Sequence, residues 1–227
     1  MGTQAPVRAV VFDAYGTLFD VYSVALLAEQ MFPGQGNALG VLWRDKQIEY
    51  TRLTSMSERY RPFWELTLSA LRHAAQRLAL PLSDAAEAQL MNQYRHLSAF
   101  PENHGVLAEL ARRGVPAAIL SNGDPQMLAV AVKSAGFQDF LAHVLSADAV
   151  RKYKTDPAVY ALGPKAFDLP ARQILFVSSN GWDAIGATWF GYTTLWVNRQ
   201  RLPLEQLDTE PTHSGTSLRD VLGFFPS

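Results

Sequence analysis

Hydrophobic and polar positions follow two rhythms along this chain. Residues 7–12 form a short apolar, β-branched run with no alternation, the pattern of a strand buried on both faces. Such runs then stop until about Val115. Between residues 22 and 98 the apolar positions recur three, four or seven apart, as in Tyr22, Leu26, Leu27 and Phe32, then Leu39, Leu42 and Trp43, then Trp64, Leu68, Leu71 and Leu78. That spacing draws one apolar face on each of several helices. Leu80-Pro81-Leu82-Ser83-Asp84 breaks the pattern, and Ser83 or Asp84 caps a further helix through Leu90 and Tyr94. From residue 101 helices and short apolar runs alternate. Strands are predicted at 115–120, 140–145, 174–177 and 193–197. Helices are predicted at 102–113, stopping at Gly114, from Asp124-Pro125 to Gly136, from Asp156-Pro157 to about Phe167, and at 183–190. Residues 209–216 read as a polar, turn-rich tail, and 218–225 as a closing helix.

Strands that alternate with helices form a parallel sheet covered on both faces. The expected fold is α/β: a Rossmann-like parallel-sheet core, residues 1–19 and 100–227, with a helical cap subdomain, 20–99, inserted after strand one. A chain of 227 residues, 48% hydrophobic, can bury a sizeable core. Its formal charge of −1 gives no basic surface for nucleic acid. The absence of cysteine excludes disulfides and thiolate chemistry. Residues 1–6 lack a charged-then-apolar signal pattern, and no apolar run reaches transmembrane length, so the expectation is a cytoplasmic protein with no membrane partner. The five histidines lack metal-ligand spacing, and His104 reads as structural.

In an open parallel sheet, ligands bind outside the carboxyl ends of the strands, so the polar residues there carry the information. Strand one is followed by Asp13, Tyr15 and Thr17, and strand two by Ser121 and Asn122. The loop after strand three carries Lys152 and Lys154, and strand four leads to Ser178, Asn180 and Asp183. Each alone has a structural reading: Ser-Asn-Gly is turn chemistry, Lys154 a solvated lysine, Asp183 an N-cap. Together on one edge they make a hydrolytic site with a carboxylate nucleophile.

The landmarks Phe12-Asp13-Ala14-Tyr15-Gly16-Thr17-Leu18, Leu120-Ser121-Asn122-Gly123, Lys154-Thr155-Asp156-Pro157 and Phe176-Val177-Ser178-Ser179-Asn180-Gly181-Trp182-Asp183 stand in that order. In them the chain resembles the haloacid dehalogenase superfamily over nearly its whole length. Most members of that superfamily are magnesium phosphatases, with a second aspartate two residues after the nucleophile and acidic metal ligands after strand four. Here the first position is Tyr15, and Ser178, Ser179 and Asn180 are neutral. The chain looks like the L-2-haloacid dehalogenase branch, which needs neither cofactor nor metal. A magnesium phosphatase is the alternative, separable by metal dependence. A non-catalytic carboxylate binder is a third reading, disfavoured because a binder has no use for Asp13, Lys154 and Asp183 together.

The resemblance implies roles. Asp13 displaces halide from C2 of a short 2-haloacid with inversion. Asp183, helped by Ser178 and Asn180, activates the water that hydrolyses the ester. Lys154 orients the carboxylates, supported by Thr17 and Tyr160. Ser121 binds the substrate carboxylate; Arg44 and Asn122 cradle the halide; Tyr15, Phe63 and Trp182 form an apolar wall. Phe63 and Trp64 are adjacent, so at most one faces the site. A homodimer is common in relatives. The physics suits these roles: a carboxylate attacks best where water is excluded, a paired lysine offsets the cost of leaving it dry, and an arginine fork stabilises the departing anion.

Overall fold

The computed structural model describes residues 6–226; the segment read for a signal pattern lies, but for Pro6, outside the described residues. The first strand, β1, is Ala9–Phe12, fully buried as its unbroken apolar run requires. The helices α1 (Val24–Met31), α2 (Gly36–Met56), α3 (Phe63–Arg77) and α4 (Asp84–Arg95) follow and pack on one another. Ser83 caps α4 by accepting the Ala86 N–H. The chain then returns through α5 (Asn103–Arg112), β2 (Ala117–Ser121), α6 (Pro125–Ser134) and β3 (His143–Ser146). It ends with α7 (Pro157–Tyr160), α8 (Leu162–Phe167), β4 (Ile174–Ser178), α9 (Gly181–Phe190), β5 (Thr193–Val197) and β6 (His213–Gly215). The described strands form one parallel sheet in the order β3-β2-β1-β4-β5-β6. The strand order reverses between β1 and β4, so their carboxyl ends open a crevice at the switch point.

The helical excursion leaves and rejoins the core at one place. Phe19 bridges Ala99 in antiparallel fashion, the Asp20 N–H donates to Ser98 O (2.8 Å), and the Phe100 N–H donates to Leu18 O (3.3 Å). Buried Asn103 reinforces the junction by donating from Nδ2 to Leu18 O (2.9 Å).

Several expectations are corrected. The helix predicted from Pro157 to Phe167 is broken at Ala161. Pro164 has no N–H to give to the Tyr160 carbonyl, and the Tyr192 hydroxyl takes that carbonyl instead (2.6 Å). β3 starts at His143, three residues later than predicted, because Gln138–Phe140 forms a 3-10 turn. The tail read as polar turn contains edge strand β6, short and exposed and therefore without an apolar signature. The expected closing helix is present over Leu218–Phe224, as a 3-10 helix opened by a Ser217/Asp220 capping box.

Candidate active site

Asp13 immediately follows β1, and its N–H donates to Val177 O (2.9 Å), which fixes it beside the end of β4. The chain then turns sharply through Gly16, whose φ of +94° suits glycine. A Cβ there would lie 3.4 Å from the Asn180 carboxamide, so the turn is also held close to the β4 loop. Lys154 enters from the loop beyond β3 and is buried with its nitrogen between two carboxylates. It donates to Asp13 Oδ1 and to Asp183 Oδ2, each at 2.9 Å. Asp13 Oδ2 accepts from Thr17 Oγ1 (2.9 Å) and from Asn180 Nδ2 (2.8 Å). Tyr160 donates to Asp183 Oδ1 (2.7 Å).

The structure therefore brings Asp13, Thr17, Lys154, Tyr160, Asn180 and Asp183 into one hydrogen-bonded array. Ser178 stands apart from it: its buried hydroxyl accepts the Asn180 N–H (3.1 Å) and so shapes the loop that aims Asn180. The Asn122 oxygen accepts the Lys154 N–H (2.9 Å), holding the lysine's backbone, and Ser121 Oγ accepts the Gly123 N–H (3.1 Å). Lys152, the other lysine of its loop, faces outward toward Glu58.

The electrostatics follow from burial. Desolvation works against the Lys154 ammonium, but Asp13 and Asp183 outweigh it and hold its pKa above the ordinary lysine value. Desolvation pushes Asp183 up, Lys154 pulls it down, and the Asp13 charge adds to the upward push, so the net direction is up. A carboxylate so placed is more basic than an exposed one and suits proton abstraction from water. Removing one member of such a buried ionic array costs about 3–5 kcal/mol, because an unpaired charge remains.

Asp13 and Lys154 open onto a cavity of about 10 Å³ walled by Tyr15, Arg44, Ile48, Thr51, Phe63, Ser121, Asn122 and Trp182. That is room for about one water, so the walls must part to admit an organic substrate. A larger cavity of about 450 Å³ shares Arg44, Ile48 and Trp182 with it. The chemistry belongs to the small one, because it alone is lined by Asp13 and Lys154. Phe63 faces it, whereas Trp64 lies outside under the Arg95 guanidinium (4.1 Å). His104 packs edge-on against Phe140, far from any role in ligation.

A carboxylate pair bridged by an ammonium does not fit a magnesium site. Magnesium demands several oxygen ligands, and here the lysine ammonium already engages one oxygen of each carboxylate. Among the described residues no cluster of three His, Cys, Asp or Glu could hold a metal ion.

Three further features escaped the sequence reading. Arg44 donates to Gln47 Oε1 (2.8 Å) and to Tyr15 O (3.2 Å). Gln47 in turn accepts from Tyr94 (3.0 Å) and donates to Thr67 Oγ1 (2.6 Å), a buried network that fixes the guanidinium. Arg44, Gln47, Ile48 and Thr51 share one face of α2, and their i, i+3, i+4, i+7 spacing was the available signal. Arg199 joins Glu102 (3.0 Å), Ser179 Oγ (2.6 Å) and the Thr17 carbonyl (3.3 Å), tying β5 to the loops behind the site. Asp124, whose place before Pro125 predicts an N-cap for α6, makes no such bond. Its oxygens accept instead from the Phe63 and Trp64 N–H groups at 2.9 and 2.7 Å.

A nucleophilic carboxylate, a bridging lysine and a second carboxylate at the switch point of a parallel sheet define a hydrolase that works through a covalent aspartyl ester. A model of the haloacid dehalogenase-like hydrolases matches residues 7–191, and the chain belongs to that family. It is 44% identical to an (S)-2-haloacid dehalogenase of Pseudomonas sp. (strain YL) over 219 residues, 96% of this chain and 94% of the relative. A crystallised L-2-haloacid dehalogenase aligns at 61% identity with a TM-score of 0.96, covering 98% of this chain and all of the other. The L-2-haloacid dehalogenase of Xanthobacter autotrophicus with chloropropionic acid covalently bound aligns at 36% identity and TM-score 0.88, over 95% and 96% of the two chains.

Proposed function

We propose that this enzyme hydrolyses the carbon–halogen bond of short L-2-haloacids, giving 2-hydroxyacids inverted at C2, with no metal or other cofactor. The observation that carries the reading is the Lys154 ammonium spanning Asp13 and Asp183 beside a narrow cavity of about 10 Å³. An Asp13 oxygen forms a bond to C2 while the carbon–halogen bond breaks and its electron pair leaves on the halogen as halide, giving an aspartyl ester. Asp183 then takes a proton from water, and the hydroxide oxygen adds to the Asp13 carboxyl carbon. The adduct collapses by breaking its bond to the C2 oxygen, which receives the proton from Asp183 and departs as the 2-hydroxyacid, leaving Asp13 a carboxylate. Thr17 and Asn180 hold one Asp13 oxygen, Lys154 the other, and Tyr160 steadies Asp183. Ser178 acts through the Asn180 loop. Ser121 receives the substrate carboxylate, Arg44 and Asn122 the halide, and Tyr15, Phe63 and Trp182 exclude water. Halide leaves without a proton, so the tyrosine at position 15 costs this reaction nothing.

The test is halide release from each enantiomer of 2-chloropropionate in the presence of EDTA. The expected result is turnover of the L form alone, unaffected by chelation. No halide release from either enantiomer, with hydrolysis of a phosphate ester that is lost to EDTA and restored by magnesium, would support the phosphatase alternative instead. The proposal extends to a cytoplasmic location and a homodimer, to be checked by cell fractionation and by sedimentation. Among the described residues no helix is long and apolar enough to cross a membrane.

A further inference from the structure

The loop 121–124 touches the cavity walls at every residue. Ser121 and Asn122 line the cavity. Gly123 lies against Tyr15, so close that a Cβ there would stand 2.6 Å from Tyr15 Cε2. Asp124 reaches across to α3 and accepts both Phe63 N (2.9 Å) and Trp64 N (2.7 Å). These are the first two N–H groups of α3, whose own N-cap position is Pro62 and offers no side-chain acceptor. A carboxylate there meets the positive end of the helix dipole. The residues leading into α3 are seated nearby as well: Tyr60 donates to Asp148 Oδ1, and the Arg61 carbonyl accepts from Tyr153. Asp124 is the one of these contacts that bonds directly to Phe63, whose ring lines the cavity.

We infer that Asp124 is a positioning residue for substrate binding. It caps α3 from the opposite side of the seam and so sets Phe63 against Tyr15, closing the cavity only when the helical excursion is docked. This rests on the dehalogenase reading. The stacked ring pair at the seam, Tyr15 and Phe63 with centroids 5.7 Å apart, is the wall that Asp124 completes. Without the carboxylate the chemistry at Asp13 is intact, because no atom of Asp124 joins the Asp13–Lys154–Asp183 array. Loss of the clamp therefore weakens capture of substrate more than the steps that follow.

The experiment combines backbone hydrogen exchange without substrate and steady-state kinetics with L-2-chloropropionate, on wild type, Asp124→Asn and Asp124→Ser. The expected result is faster exchange confined to residues 60–66. KM should rise about tenfold, the effect of losing a charge-assisted hydrogen bond, with kcat within about threefold of wild type. Asp124→Asn keeps one acceptor and turns an N–H2 toward the second helix N–H, and Asp124→Ser offers one shorter acceptor, so both should show the effect. A general loss of stability would speed exchange across the molecule without splitting KM from kcat, and that outcome overturns the inference. So does unchanged exchange at 60–66, or faster exchange there with KM unaltered. If Asp124→Asn does not fold, the serine variant decides by the same criteria. If wild type releases no halide from any 2-haloacid, the dehalogenase reading fails, while the exchange result still decides whether Asp124 clamps α3.

Discussion

At the scale of single residues the array separates two chemical steps. In the proposed mechanism Asp13 supplies the alkylated oxygen, and Asp183 lies across Lys154 from it. Asp183→Asn should release up to one halide per site and then stall, with intact mass showing the substrate's 1-carboxyalkyl group esterified to Asp13. Normal turnover would remove Asp183 from the mechanism, and the absence of a burst would mean that it acts earlier, through Lys154. The pH dependence follows from the same pair. A lysine raised above its ordinary 10.5 stabilises the fold fully below that value, and the contribution is lost as pH climbs through the raised value. Thermal melts should therefore fall above about pH 10.5, with part of the fall absent in Lys154→Met. Tyr15 and Tyr160, also raised chiefly by desolvation, share that sign, as do Tyr60, Tyr94, Tyr153 and Tyr192, and all of them contribute to the remainder. Asp183, raised above the ordinary 3.8, must be ionised to act as base. The acid limb of ester hydrolysis should thus lie above 3.8, measurable in single turnovers across pH.

At the scale of elements, α9 is where the site meets the core. Gly186 on α9 sits so close to neighbouring side chains that a Cβ would be 2.5 Å from the Tyr160 hydroxyl and 2.7 Å from Thr155 Cγ2. Gly186→Ala should destabilise the protein by about 1–3 kcal/mol and slow ester hydrolysis, because it pushes Tyr160 off Asp183; urea melts and burst kinetics check both. On α2, Arg44→Lys keeps the charge but loses the fork shared between Gln47 and the Tyr15 carbonyl. We expect at least a tenfold loss in kcat/KM; unchanged activity would place the halide elsewhere.

At the scale of the whole molecule, the alternation of strands and helices was plain in the sequence because parallel strands must be apolar along their length. The strand-end polar residues were legible for the same reason: they interrupt those runs. What stayed hidden depends on partners distant in sequence. Asp124 reads as a local cap because nothing nearby shows that α3, sixty residues upstream, lacks one. Arg199 looks like any polar loop residue until β5 brings it beside Glu102 and Ser179. β6 was missed because an edge strand needs no apolar face, and the break at Ala161 because Pro164 acts through a carbonyl that Tyr192 claims.

The pairing of Phe19 with Ala99 carries a consequence beyond this one enzyme. Where a chain departs from a framework and returns within one hydrogen bond of its departure, the two loose ends are already spliced. The excursion between them can lengthen, shrink or be exchanged without stretching the sheet beneath. Asp13, Lys154 and Asp183 all belong to the framework, whereas Arg44 and Phe63 belong to the excursion. Grafting a different excursion onto the same splice would keep the attacking group and replace the walls that choose its substrate. New specificities could then arise by exchanging a module while the reacting centre stays untouched.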